Sequence, residues 1–267
     1  MRNVKSFPVQ LNYQWCIRLD TPDELLTNLN PEEIPSETAV FPLANSLLFP
    51  HAVQALHIFE PRYVAMVENA LEGDRCITMA LLKPGYEADY DGSPEIYSTA
   101  CLGKIIDHRR LPENRFQVAL QGVIAVDLSK ELRDDKEFRS FSVSVREFEQ
   151  DLSSAQQFTF RKQFYNLLET YFLLQSGMRT DPESLCVDMS FAALLDNLCF
   201  LIPLDSEKKM KLLRSCKTSE RCFLFQNYLE LEIGEMQRRA SANSSSDGGG
   251  PGPFYPRGGS GGGPVVH

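Results

Sequence analysis

The sequence predicts an α+β fold, with a β-rich part over residues 39–150 and a helical bundle over residues 151–239. Three observations predict it. The stretch Phe41 to Leu71 reads as a strand, a bend, a second strand and a helix in one run. Between Arg75 and Val145 the apolar segments are short and punctuated by Gly, Pro and Asn, as in hairpin-connected strands. Near Asp151 the texture changes, and apolar residues recur at helical spacing from there on.

Each element has its own reason. Phe41, Leu43, Leu47, Leu48 and Phe49 form an apolar run that Pro50 interrupts. Val53 to Ile58 mixes apolar and polar positions in a pattern that suits a strand buried on both faces. Pro61 opens a helix, because the first helical amide has no partner to lose. Tyr63, Met66, Val67, Ala70 and Leu71 then form one apolar stripe, and Gly73 is placed to close the helix in the left-handed conformation. Arg75 to Leu82 reads as a strand from its β-branched and apolar content. Cys101 to Leu111 and Phe116 to Val126 read as a hairpin turned by Pro112 to Arg115. Phe141, Val143 and Val145 alternate with serines, as in a half-buried strand.

The helical part starts at Ser153 or Ser154, which can cap a helix running to about Gln175 and ended by Gly177. Its stripe of Phe158, Arg161, Phe164, Tyr165, Leu168, Tyr171 and Phe172 reads as core. Ser190 to Leu201 is apolar on most of its circumference and should be central. Asp205 caps a third helix with Met210, Leu213 and Cys216 inward, and a fourth starts near Thr218. Residues 1–38 read as an irregular, acidic N-terminal arm, and residues 240–267, rich in Gly, Pro and Ser, as a disordered tail.

Several segments carry a family resemblance. FPL-x(4)-LFP at Phe41 to Pro50 is followed by LHIFEPRY at Leu56 to Tyr63. GKIIDHRRLPENRFQVALQG ends in a Gln-Gly pair at Gly122, and LIPLDSEKKMKLLRSCKTSERCFLFQNYL closes the pattern. Together, from about Ala39 to Met236, they resemble the substrate-binding N-terminal domain of the ATP-dependent protease Lon. The resemblance implies a PUA-like β pseudobarrel followed by helices, a bulge at Gly122, and a module that binds unfolded or peptide-like protein segments. It implies proteolysis-related work, such as an adaptor role in protein quality control.

Composition narrows the function further. There is no P-loop and no zinc-protease H-E-x-x-H, so neither ATPase nor peptidase activity is expected and no catalytic residue is assigned. The seven cysteines form no C-x-x-C pair, so no metal site, disulfide framework or cofactor is expected; they read as buried thiols of a cytoplasmic protein. No apolar run approaches a membrane span. Residues 1–154 hold 15 Lys and Arg against 24 Asp and Glu, which is the whole net charge of -9. Phosphate contacts need clustered bases, so PUA-like nucleic-acid binding, the alternative function, is disfavoured.

Candidate contacts sit in the loop Lys83 to Thr99, where Tyr86, Tyr90 and Tyr97 interleave with Glu87, Asp89, Asp91 and Glu95. Tyrosine gives a large contact area at low entropic cost, and the acids favour a basic or mixed-charge client. The same rings could instead pin the loop to the fold. His51 and His57 have no carboxylate near them in sequence and read as structural, as does an ion pair of Arg62.

Overall fold

The computed structural model describes residues 34–89, 92–132, 135–185 and 189–246. The β part consists of β1 (Glu37–Leu43), β2 (Val53–Ile58), helix α1 (Pro61–Glu72), β3 (Cys76–Leu81), a 3-10 turn (Tyr86–Asp89), β4 (Thr99–Leu111), β5 (Arg115–Leu132) and β6 (Ser140–Val145). The helical part consists of α2 (Ser154–Ser176), the single turn α3 (Pro182–Leu185), α4 (Phe191–Leu201), α5 (Ser206–Arg214) and α6 (Thr218–Ser246). Strands followed by helices is the order the periodicity predicts.

The six strands form one sheet in the order β2-β5-β4-β3-β1-β6, and β6 also pairs with β5, so the sheet returns on itself. All neighbours are antiparallel except β1 and β3, which are joined through β2 and α1. β5 is long because, along the edge opposite β4, it serves two partners in turn. Phe116 to Gln121 pair with β2, and Val126 to Leu132 pair with β6. Between these two pairings lies a seam, and there the register with β4 slips: Leu102 faces Ile124 but Gly103 faces Gly122. Val123 is the extra residue of a β-bulge, where the Gln-Gly pair placed one.

The apolar run before Pro50 divides. β1 stops at Leu43, and Leu47, Leu48 and Phe49 cross the sheet as buried, irregular chain. Pro50 and His51 are the central residues of a turn in which the Ala52 amide donates to the Phe49 carbonyl at 3.2 Å. His51 has φ 62, so the turn follows the type II pattern, with Pro at its first central position. Its amide donates to the Gly122 carbonyl at 2.9 Å, and the Gly122 amide donates to the Ala52 carbonyl at 2.8 Å. The chain crosses so closely that a Cβ on Gly122 would lie 2.0 Å from the Phe49 carbonyl oxygen.

Other expectations are corrected by burial. β2 is a strand at the edge of the sheet order, with Ala55 and His57 exposed, and is not buried on both faces. Gly73 is not left-handed (φ -108); the left-handed residue after α1 is Arg75 (φ 64), whose amide donates to the Ala70 carbonyl. In α2 the buried face is Phe160, Phe164, Leu168 and Tyr171, while Phe158 is 59% exposed. Cys216 lies past the end of α5 and is exposed; Leu212 takes the inward place beside Met210 and Leu213.

Apart from α1, the helix starts and stops read from the sequence are met, but α6 runs on to Ser246, into the stretch expected to be a disordered tail. Ser153 and Gln156 form a capping box, Gly177 is left-handed (φ 71), and Ser190 and Asp205 cap α4 and α5. Asp151, outside any helix, accepts from the Ser219 amide at 2.9 Å and the Ser219 hydroxyl at 2.5 Å, and so caps the first turn of α6. Those two bonds hold its carboxyl below the usual range. One apolar core runs from α1 and one face of the sheet into α2, α4, α5 and α6, so the helices are packed on the strands and not merely tethered.

Candidate functional site: a groove between sheet and helices

The sheet seam opens into a groove of about 860 Å³. Val123, Ile124 and Ala125 of β5 form one wall, and Val145 and Phe148 form the second. Ala192 of α4 and Leu213 of α5 bring in the helices. Val145 and Phe148 are each 41% exposed, so the groove presents two neighbouring apolar side chains to solvent. The volume lies in the range of ligand pockets, and the groove is partly open to solvent.

Behind the groove is a buried ion cluster. Arg221 donates to Asp196 at 2.6 Å, and His51 Nδ1 lies 2.9 Å from the other carboxylate oxygen. Asp196 and Arg221 are each 4% exposed. Arg221 also donates to the Ser215 carbonyl, and its guanidinium stacks 4.4 Å from the Phe148 ring centroid. Asn197 donates to the His51 carbonyl at 3.4 Å. The cluster therefore joins the crossing loop of the sheet to α4 and α6, and fixes the shape of the groove. His51 has a bonding partner within the fold, a carboxylate 145 residues away that no local pattern showed.

The segment from β6 to α2 is held just as firmly. Arg146 binds both oxygens of Asp127 at 2.9 Å and the Arg214 carbonyl at 2.8 Å. The Glu149 amide donates to the Cys216 carbonyl, and the Thr218 amide donates to the Glu149 carbonyl. Phe148 is thus presented from a backbone fixed on both sides.

The tyrosine loop lies elsewhere. Tyr86 opens the 3-10 turn and is half-buried, with contacts of its own. Tyr97 is half-buried against the core, and its amide donates to the Leu81 carbonyl at 2.9 Å. Tyr90 lies outside the described residues. Gly92, Ser93 and Pro94 of the same loop border a smaller cleft of about 350 Å³. Charged and apolar side chains share that cleft, and its two arginines are engaged, Arg62 with Glu60 and Arg139 with Glu131. Arg62 forms the ion pair the sequence predicts. Sequence reasoning missed Phe148, whose only signal was a lone aromatic between acids after a strand.

The thiols give the fold a pH signature. Burial pushes Cys76 and Cys222 up to about 12, and Cys101 and Cys199 higher still. An unfolded thiol loses its proton near pH 8.5, so above that the unfolded chain holds fewer protons than the fold. Stability from these groups is complete below that pH and falls as pH rises. Lys209 acts oppositely: burial lowers it to about 8, so its cost to the fold fades between there and its unfolded value near 10.4. Four thiols outweigh one amine. Urea unfolding across pH 7 to 11 should show a falling midpoint above about pH 9, and Cys199→Ala should make the fall shallower.

Residues 37–230, more than half of the chain, match the family described as the ATP-dependent protease La (LON) substrate-binding domain. The chain belongs to this family. Among relatives of the Lon-type domain are the Lon protease of Dictyoglomus thermophilum, 24% identical over 215 residues, and that of Heliobacterium modesticaldum, 24% identical over 209. These alignments cover 78% and 76% of this chain but 26% and 25% of the relatives, so the chain spans about a quarter of their length. The Lon-type fold is also seen in the N-terminal domain of Mycobacterium avium complex Lon protease. That structure matches with a TM-score of 0.54 at 12% identity, covering 73% of this chain and 98% of that one. Among the described residues, no helix is long and apolar enough to cross a membrane, and no three His, Cys, Asp or Glu side chains gather as metal ligands would.

Proposed function

We propose that this Lon-type domain is a non-catalytic substrate-recognition module that holds unfolded or peptide-like protein segments in the groove of Phe148. The observation that carries the reading is an open apolar groove, with two exposed apolar side chains, on a rigid frame. Rigid walls reduce the ordering cost of binding, and an aromatic in a desolvated pocket is the commonest kind of anchor. Such a module acts as an adaptor in cytoplasmic protein quality control. We also propose that the Lys83 to Thr99 loop, through Tyr86, Tyr90 and Tyr97, supplies a second contact for longer clients.

The test is binding of unfolded, fluorescently labelled casein. Phe148→Ala should weaken it about tenfold, roughly 1.4 kcal/mol. Loss of the stack on the buried Arg221 costs stability about 2 kcal/mol, so a thermal melt of the variant accompanies the binding measurement. The double variant Tyr86→Ala, Tyr90→Ala should weaken binding by a similar factor of about ten if the loop takes part. Wild-type affinity in that variant confines the site to the groove. Wild-type affinity in Phe148→Ala removes the groove from the account.

A further inference from the structure

The groove has a charge character as well as an apolar one. Its lining holds seven Asp, Glu, Lys, Arg and His side chains: His51, Arg146, Glu147, Glu149, Asp196, Lys217 and Arg221. Six are already committed. His51 and Arg221 share Asp196, Arg146 is held by Asp127, and Lys217 lies 3.2 Å from Glu149. The cations of the groove are therefore neutralised by carboxylates of the same fold. Glu147 makes no ion pair among the described residues, is exposed, and stands beside Phe148. The charge left for a partner is negative. It lies on the half of the chain that carries the net charge of -9.

We infer that the segment this groove takes is an apolar stretch flanked by Lys or Arg. The inference rests on the groove being the client site and names the class of client. The apolar residues bury Val145 and Phe148, and the flanking base meets Glu147. The unpaired Glu147 attracts a cationic chain and repels an acidic one. Because Glu147 is exposed, this preference is screened by salt, while the apolar part is not.

Two labelled peptides with one apolar core, one flanked by lysines and the other by glutamates, test it by fluorescence anisotropy on the whole chain. At about 50 mM salt the lysine form should bind about tenfold tighter, and the ratio should shrink to about twofold near 0.5 M. Glu147→Lys, a change at an exposed position, should lower the ratio about threefold or more at low salt without changing the melting temperature. Equal binding of the two peptides at low salt, or tighter binding of the glutamate form, overturns the charge preference. If both then weaken in Phe148→Ala, the groove reading survives that failure. If neither peptide binds at all, both readings fall together.

Discussion

Gly122→Ala should leave the chain unfolded, or destabilised by more than about 4–5 kcal/mol, the range reserved for the severest single substitutions. The atom a Cβ would meet is a backbone carbonyl oxygen at 2.0 Å, with the carbonyl carbon at 2.8 Å, and neither can rotate away. To make room, the Leu47 to Ala52 crossing would have to lift, breaking its two hydrogen bonds to Gly122 and exposing Leu48 and Phe49, both fully buried. Gly103 provides the control. A Cβ there would meet Cγ of the buried Leu120 at 2.7 Å, a side-chain atom and not backbone, so Gly103→Ala should still destabilise, by about 1–3 kcal/mol, but less than Gly122→Ala. Circular dichroism melting of the two variants decides it. A Gly122→Ala protein that melts within a few degrees of wild type would show that the crossing is not held as the structure has it.

Asp196→Ala should cost about 3–5 kcal/mol, because it leaves Arg221 buried and without its carboxylate. It also removes the partner of His51 and so loosens the Pro50 to His51 turn. Asp196→Asn keeps the shape and loses the charge, and should recover only part of the loss. The cluster is a poor source of net stability even though breaking it is costly. Replacing Asp196 and Arg221 together by leucine should therefore be less harmful than Asp196→Ala alone. Urea denaturation of the three variants and wild type measures this. A double variant no more stable than Asp196→Ala would contradict a coupled buried pair.

How much of this was legible in the sequence varied with the range of the interactions involved. Helix starts and stops were legible because caps act within four residues, as Ser153, Gly177, Ser190 and Asp205 show. The Pro112 to Arg115 turn was legible too, with Glu113 and Asn114 both at positive φ as a tight hairpin requires. Leu47 to Phe49 looked like strand because burial makes a buried crossing as apolar as a strand, and composition alone does not separate the two. In α2, Phe158 and Phe160 are two residues apart in one apolar stretch, and only the position of α6 decides which is buried. Phe160 meets Phe223 at 5.2 Å between ring centroids.

The site was less legible than the fold. The loop tyrosines stood out because aromatics between acids are conspicuous in one dimension. The groove is built from residues near positions 50, 123, 148, 196 and 216, which no local pattern connects. Gly122 was the exception. Its Gln-Gly pair marked the bulge, and the bulge sits at the seam where β5 changes partner and the groove opens.

The most direct test of the groove is to map where an unfolded client touches. A photo-crosslinking residue would be placed in turn at positions 145 and 148, and at three other exposed apolar positions, 59, 158 and 223. Labelled unfolded casein would be added and the adducts mapped by mass spectrometry. The account predicts adducts from 145 and 148, competed away by excess unlabelled client, and background levels from the other three. Competable adducts from 59, 158 or 223, with none from 145 and 148, would contradict it.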